Sequence, residues 1–172
     1  MLDKLAQSLA AALCQRQVRV VFAESCTAGL VSASLARVPG VSEWHCGSAV
    51  TYRDATKQAW LDVPPATIAA HTAVSEAVAE RMAVGVLEKT PEADFAASVT
   101  GHLGPDAPPE FDGVIYIGIA RRDQAGAAQP IFVRRAQLSE TSRVPRQEEA
   151  AGLVLQQLLE TIESEEAEPS KR

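Results

Sequence analysis

The stretch VRVVFAESCTAGLVSASLAR, residues 18–37, decides the fold. Its first six residues, VRVVFA, form a short β-branched run that reads as a strand, and LVSASLAR repeats its apolar residues at helical spacing. Between them ESCTAG makes a tight turn. A strand, a tight turn and a helix in succession are the opening unit of an α/β domain.

Working outward, the chain repeats that alternation. The segment before it, MLDKLAQSLAAALCQRQ, reads as an amphipathic helix with Asp3 early, and not as a signal peptide. After it, HCGSAVTY (45–52) is a second strand, and Asp54 is placed to cap a short helix reaching Ala59–Leu61. Pro64-Pro65 stops that helix and starts another. From Ser75, a candidate N-cap, to Leu87 the positions Val78, Met82 and Val86 share one helical face. ADFAASV (93–99) is a small-residue strand, and GVIYIGIAR (113–121) with IFVRRAQL (131–138) forms a strand pair. Pro145 to Ile162 is a long helix with Leu153, Leu155, Leu158 and Leu159 inward. The expected architecture is a three-layer α/β/α sandwich on a largely parallel sheet with an antiparallel edge. One domain over residues 1–162 and a charged, disordered tail over 163–172 complete the organisation.

Composition narrows the function classes. Hydrophobic residues make up 47% of 172 residues, enough for one buried core. The charge of -6 arises from 16 Lys+Arg against 22 Asp+Glu, and Glu163, Glu165, Glu166 and Glu168 in the tail face only Lys171 and Arg172. The body keeps a charge of about -4, an ordinary solubility margin. The basic pairs Arg121-Arg122 and Arg134-Arg135 stand alone, so no nucleic-acid footprint is expected. Cys14, Cys26 and Cys46 form no C-x-x-C pair and total an odd number, which fits a reducing, cytoplasmic setting. No window approaches the roughly 18 apolar residues of a membrane span, and no ligand cluster has metal spacing.

In α/β sheets ligands bind beyond the carboxyl ends of the strands. Three strand-like runs end in polar residues: Glu24-Ser25-Cys26-Thr27, Thr51-Tyr52 and Thr100-Gly101. The Ser25 hydroxyl would sit at a strand exit, with the first amides of the following helix unpaired nearby and suited to an oxyanion. The plainer alternative is that Ser25 or Thr27 caps that helix. The G-x-S-x-G elbow of α/β hydrolases is not matched, because Ala23 stands where its first glycine would be. A nucleophilic serine needs a base. Of His45, His71 and His102, only His102 lies at a strand exit; Lys57, five residues beyond Tyr52, becomes a base if burial lowers its pKa, and is otherwise a solvated surface lysine. The segment TGHLGPDAPPEFDG (100–113) is either a ligand loop or an ordinary crossover, and Cys26 reads as a small buried residue.

Taken in order and spacing, AESCTAG (23–29), VPGVS (38–42), AVTYRDATK (49–57), AVSEAVAERM (73–82), VTGHLGP (99–105) and the helix from Arg143 to Leu159 are a specific combination. On these segments the chain resembles the CinA C-terminal domain family of nicotinamide-nucleotide amidases. The resemblance implies removal of the amide of nicotinamide mononucleotide, giving nicotinate mononucleotide and ammonia, with no metal or organic cofactor. It implies Ser25 as nucleophile, Lys57 as base, and Ser42 and Tyr52 as supporting hydroxyls. It also implies a nucleotide pocket lined by Thr100, Gly101, His102 and the amides of Thr27, Ala28 and Gly29, with Arg143 or Arg146 on the phosphate, in a homo-oligomer.

Departures from the family pattern are Ala28 in place of a glycine, Asp54 in place of an asparagine, and His102, Leu103 and Asp106-Ala107-Pro108-Pro109 in the loop. They leave open a catalytically silent nucleotide-binding or scaffold domain, or a hydrolase of another small amide with His102 as base.

Overall fold

Val20–Glu24 forms the expected first strand, β1, and every residue in it is buried. In this computed structural model, which describes residues 1–164, β1 is preceded by helix α1 (Leu2–Arg16) and followed by α2 (Leu30–Leu35) and β2 (His45–Val50). Three helices come next: α3 (Asp54–Leu61), α4 (Pro65–His71) and α5 (Glu76–Glu88). Strands β3 (Phe95–Gly101), β4 (Val114–Arg122) and β5 (Ala128–Gln137) then lead into α6 (Arg143–Ser164). The five strands make one sheet in the order β2-β1-β3-β4-β5.

Side-chain alternation along β1 explains its continuous apolar run. Val20 and Phe22 join a core built with α1, α2 and α6, whereas Val21 and Ala23 join a second core built mainly with α3 and α5. A strand covered on both faces has no polar side to show. β2 and β3 flank β1 on opposite sides, both parallel to it. Right-handed crossovers that leave in opposite directions must run over opposite faces. Accordingly α2 packs on one face and α3 to α5 on the other, and a crevice opens at the carboxyl ends of the three strands.

The sheet is mixed rather than largely parallel. β3 to β4 and β4 to β5 are both antiparallel, so the final strand pair is the expected antiparallel edge and leaves only three of the five strands parallel. The physical reason is the 102–113 connection, which contains only the short 3₁₀ turn Pro109–Phe111. A parallel return is usually made through a crossover helix, and these twelve residues form none. The segment is therefore a hairpin loop, with the His102 N–H donating to the Val114 carbonyl across its base.

Helix starts follow the expected chemistry with one change. Ser75 Oγ accepts from the Val78 N–H at 3.3 Å and caps α5. Asp54 is the first residue of α3 rather than its cap, and Thr56 Oγ1 accepts from the Arg53 N–H at 3.2 Å instead. α6 continues through Ser164, so Glu163 and Ser164 are helical; the rest of the expected tail, from 165, lies outside the described residues. Among the described residues no helix is long and apolar enough to cross a membrane.

Helix α3, which carries Lys57, is held at its far end by a close approach. A Cβ at Gly85 of α5 would lie 2.0 Å from the Leu61 carbonyl oxygen. Gly85→Ala is therefore expected to destabilise the protein by about 1–3 kcal/mol through overpacking. A urea-unfolding midpoint equal to that of the wild type would show that the two helices do not need this contact.

Candidate active site

Backbone register brings three strand exits together. Glu24 stands opposite both Val50 and Val99, so Ser25, Thr51 and Thr100 follow side by side. The Ser25 N–H donates to the Val99 carbonyl at 3.0 Å, and the Thr51 N–H donates to the Glu24 carbonyl at 2.8 Å. These bonds carry the ladder one residue past β1 and fix Ser25 at the rim.

Lys57 turns back from α3 toward this rim. It is 1% exposed, and its Nζ lies 2.9 Å from the Thr51 carbonyl and 3.1 Å from Ser25 Oγ. Burial lowers the amine below its ordinary value of 10.5, because the charged form loses its water, while the Asp54 carboxylate pulls weakly the other way. A neutral amine at hydrogen-bond distance from a hydroxyl is an acceptor for its proton. Lys57 is thus no solvated surface residue, and Ser25 has a base in reach.

The pair opens into a cavity of about 250 Å³. Tyr52 and Asp54 line it from the exit of β2, Ala73 and Val74 from the α4–α5 connection, and Thr100 to Ala107 from the end of β3 and its hairpin loop. Arg143, at the start of α6, closes the rim, donating to the Gly104 carbonyl and to the Tyr52 hydroxyl, both at 2.6 Å. Thr100 Oγ1 donates to the Ala73 carbonyl at 2.8 Å, joining two walls of the cavity. His102 lines the same cavity with its ring tilted against Phe111 at 6.1 Å, but the hydrogen bond to Ser25 Oγ comes from Lys57.

Other expected site residues lie elsewhere. Ser42 is exposed in the 3₁₀ turn Val41–Glu43, which precedes β2 and so lies at the amino ends of the parallel strands, opposite the end that carries Ser25. Its serine in a loop carried no sign of which strand end it would occupy. Arg146 is 6% exposed and fully engaged: Nη1 and Nη2 grip the Asp112 carboxylate at 2.7 and 2.8 Å, and Nε donates to the Glu140 carbonyl at 2.7 Å. Its charge is spent on Asp112, whose carboxyl it holds below the usual range. Cys26 is buried, and burial pushes its thiol up to about 12, so it stays protonated at neutral pH.

The amides of the turn are also committed. Glu24 is completely buried, and its carboxylate accepts from the Gly29, Val31 and Ser32 N–H groups, each at 3.0 Å. Thr27 Oγ1 and Ser48 Oγ donate to it as well, at 2.8 and 3.0 Å. Ala28, at φ 52, donates its N–H to the Ser25 carbonyl, and Gly29, at φ 98, completes the reversal. Thr27, Ala28 and Gly29 therefore build the turn behind Ser25 and do not line the cavity. Glu24 and Thr51 are among the polar residues that the sequence places at strand exits, but it assigns neither a role; a carboxylate ending an otherwise apolar buried strand was the one available signal for Glu24. Among the described residues no group of three His, Cys, Asp or Glu side chains is placed to hold a metal ion.

Residues 2–162 match the CinA C-terminal domain family. The CinA-like protein of Desulfotalea psychrophila is 45% identical over 103 residues, covering 60% of this chain and 25% of that protein. That of Chlorobaculum tepidum is 44% identical over 119 residues, covering 68% and 28%. The chain spans about a quarter of the length of these relatives. Among solved structures, the competence damage-inducible protein A of Klebsiella pneumoniae superposes with a TM-score of 0.86 at 28% identity, covering 96% of this chain and 99% of that one. The competence or damage-inducible protein of Enterobacter asburiae gives 0.84 at 26% identity, with 94% and 98% covered.

Proposed function

The chain belongs to the CinA C-terminal domain family, and from that premise we propose that it is a serine amidase that deamidates nicotinamide mononucleotide. The observation that carries the reading is the buried Lys57 amine 3.1 Å from Ser25 Oγ at the floor of the cavity. Neutral Lys57 takes the Ser25 proton as Oγ attacks the carboxamide carbon. Collapse of the tetrahedral adduct breaks the C–N bond, and the Lys57 ammonium returns the proton to the departing ammonia. Water then attacks the acyl-serine, again giving its proton to Lys57, and nicotinate mononucleotide leaves as Ser25 recovers its hydrogen.

Arg143 supplies the complement for the phosphate. Its guanidinium is held by two neutral acceptors, the Gly104 carbonyl and the Tyr52 hydroxyl, so its charge remains available at the rim. Tyr52 then acts at the mouth, through Arg143, rather than beside the nucleophile. The deciding experiment incubates purified protein with nicotinamide mononucleotide and measures ammonia and nicotinate mononucleotide. Equal amounts of both are expected; tight binding without release would instead mark a silent nucleotide-binding domain.

A further inference from the structure

We propose that Glu24 is a positioning residue that holds Ser25 in its reactive alignment with Lys57. The proposal rests on the serine–lysine reading of the site and concerns a residue that never touches the substrate.

Glu24 immediately precedes the nucleophile, and its side chain points behind it. Five donors converge on one carboxylate: the N–H groups of Gly29, Val31 and Ser32 and the hydroxyls of Thr27 and Ser48. Its backbone carbonyl accepts from Thr51, so this residue joins the end of β1, the start of α2 and the exit of β2. Capping a helix of six residues requires only one short neutral side chain accepting one or two such bonds. A fully buried carboxylate is a far more demanding solution, stable only when its lone pairs are filled as they are here.

What five bonds add over one is direction. Three peptide N–H groups point inward at the carboxylate, so the chain from Ser25 to Ser32 wraps around it, with Ala28 and Gly29 both at positive φ. That wrap leaves Ser25 Oγ facing Lys57 Nζ. Thr51 and α3 hold Lys57 and the ladder holds the Ser25 backbone, so what the turn sets is the direction of Ser25 Oγ across the 3.1 Å to Nζ. Without the carboxylate its donors have no buried acceptor, the turn relaxes, and the pair moves apart. A misplacement of about 1 Å between reacting groups costs on the order of 100-fold in rate.

The test is Glu24→Gln, which keeps the shape but replaces one acceptor oxygen by an NH2 group among donors. Two rates are measured: turnover of nicotinamide mononucleotide, and covalent labelling of Ser25 by a fluorophosphonate, which needs the Ser25–Lys57 pair but no nucleotide contact. The expected result is a folded protein whose kcat and labelling rate both fall by about 100-fold, with KM within about threefold and labelling still reaching one per chain. The pH dependence that belongs to Lys57 should keep its midpoint. Labelling of the folded variant at the wild-type rate would overturn the proposal, as would activity lost only in proportion to the unfolded fraction.

If Glu24→Gln does not fold, Ser48→Ala and Thr27→Val each remove a single bond and leave the carboxylate in place. Each is then expected to slow labelling by about 3- to 10-fold, and wild-type rates in both would sink the idea. A wild-type protein that is labelled at Ser25 but leaves the nucleotide intact would refute the substrate and leave Glu24 judged on labelling alone. A wild-type protein that does neither has no reactive serine, and the positioning role falls with it.

Discussion

Ser25→Ala is expected to lower ammonia release by about four to six orders of magnitude while the fold survives, since knocking out a nucleophilic serine alone removes nearly all of the covalent pathway. The Ser25 backbone keeps its bond to Val99, and the hydroxyl's hydrogen-bond partner is Lys57. Its loss costs stability only about 0.5–1.5 kcal/mol. Stability and activity should separate cleanly, the first followed by thermal unfolding and the second by coupled ammonia detection. A variant retaining a tenth of wild-type turnover would mean that water, not Ser25, attacks the amide.

The Lys57 series should be as severe and more informative. Activity requires the neutral amine, whose pKa is lowered from 10.5 by burial, so kcat/KM should rise with pH along a single ionisation below that value and then level off. Lys57→Ala should remove both the rate and the limb. Lys57→Arg should be equally inactive, because a guanidinium cannot give up its proton. His102→Ala should stay within about threefold of the wild type, since the hydrogen bond to Ser25 comes from Lys57. An active Lys57→Arg beside an inactive His102→Ala would transfer the base to histidine.

The same lysine makes stability rise with pH as well. Its folded pKa is depressed, so the unfolded chain binds the proton more readily, and the penalty is full below the folded value and fades as pH climbs toward 10.5. Lys57→Met, inactive, should therefore melt higher than the wild type at pH 7 and lose that advantage in alkali. Equal melting temperatures at both pH values would show that the amine is not desolvated.

Much of this was legible in the residues, and the exceptions have physical reasons. Apolar runs such as VVFA and the Val78, Met82, Val86 face announce strand and helix because burial imposes periods of about 2 and 3.6. Ser25 and Lys57 were visible as polar residues at or just beyond strand exits, and the order of motifs singled them out further. The antiparallel edge was legible in the final strand pair, but its weight in a five-stranded sheet was underestimated, because nothing in TGHLGPDAPPEFDG says whether the chain reverses or crosses over. The pairing of Arg146 with Asp112 was not legible, because the two lie 34 residues apart in sequence and only tertiary contact brings them together. The turn amides were assigned to a ligand for a related reason. Of Thr27, Ala28 and Gly29, the Gly29 N–H does bind an anion, the protein's own Glu24, together with the Val31 and Ser32 amides, while the Ala28 N–H closes the turn on the Ser25 carbonyl.

The hairpin between β3 and β4 gives this architecture a division of labour. The proposed pair, Ser25 just past β1 and Lys57 on α3, stands on one part of the fold, whereas much of the cavity wall is a single loop anchored at both ends by adjacent antiparallel strands. Lengthening a loop between fixed ends costs only about 0.6 kcal/mol per doubling. That wall can be rebuilt or exchanged as a cassette, letting a lineage change what it accepts while inheriting its chemistry intact. The His102, Leu103 and Asp106-Ala107-Pro108-Pro109 departures fall within that exchangeable segment.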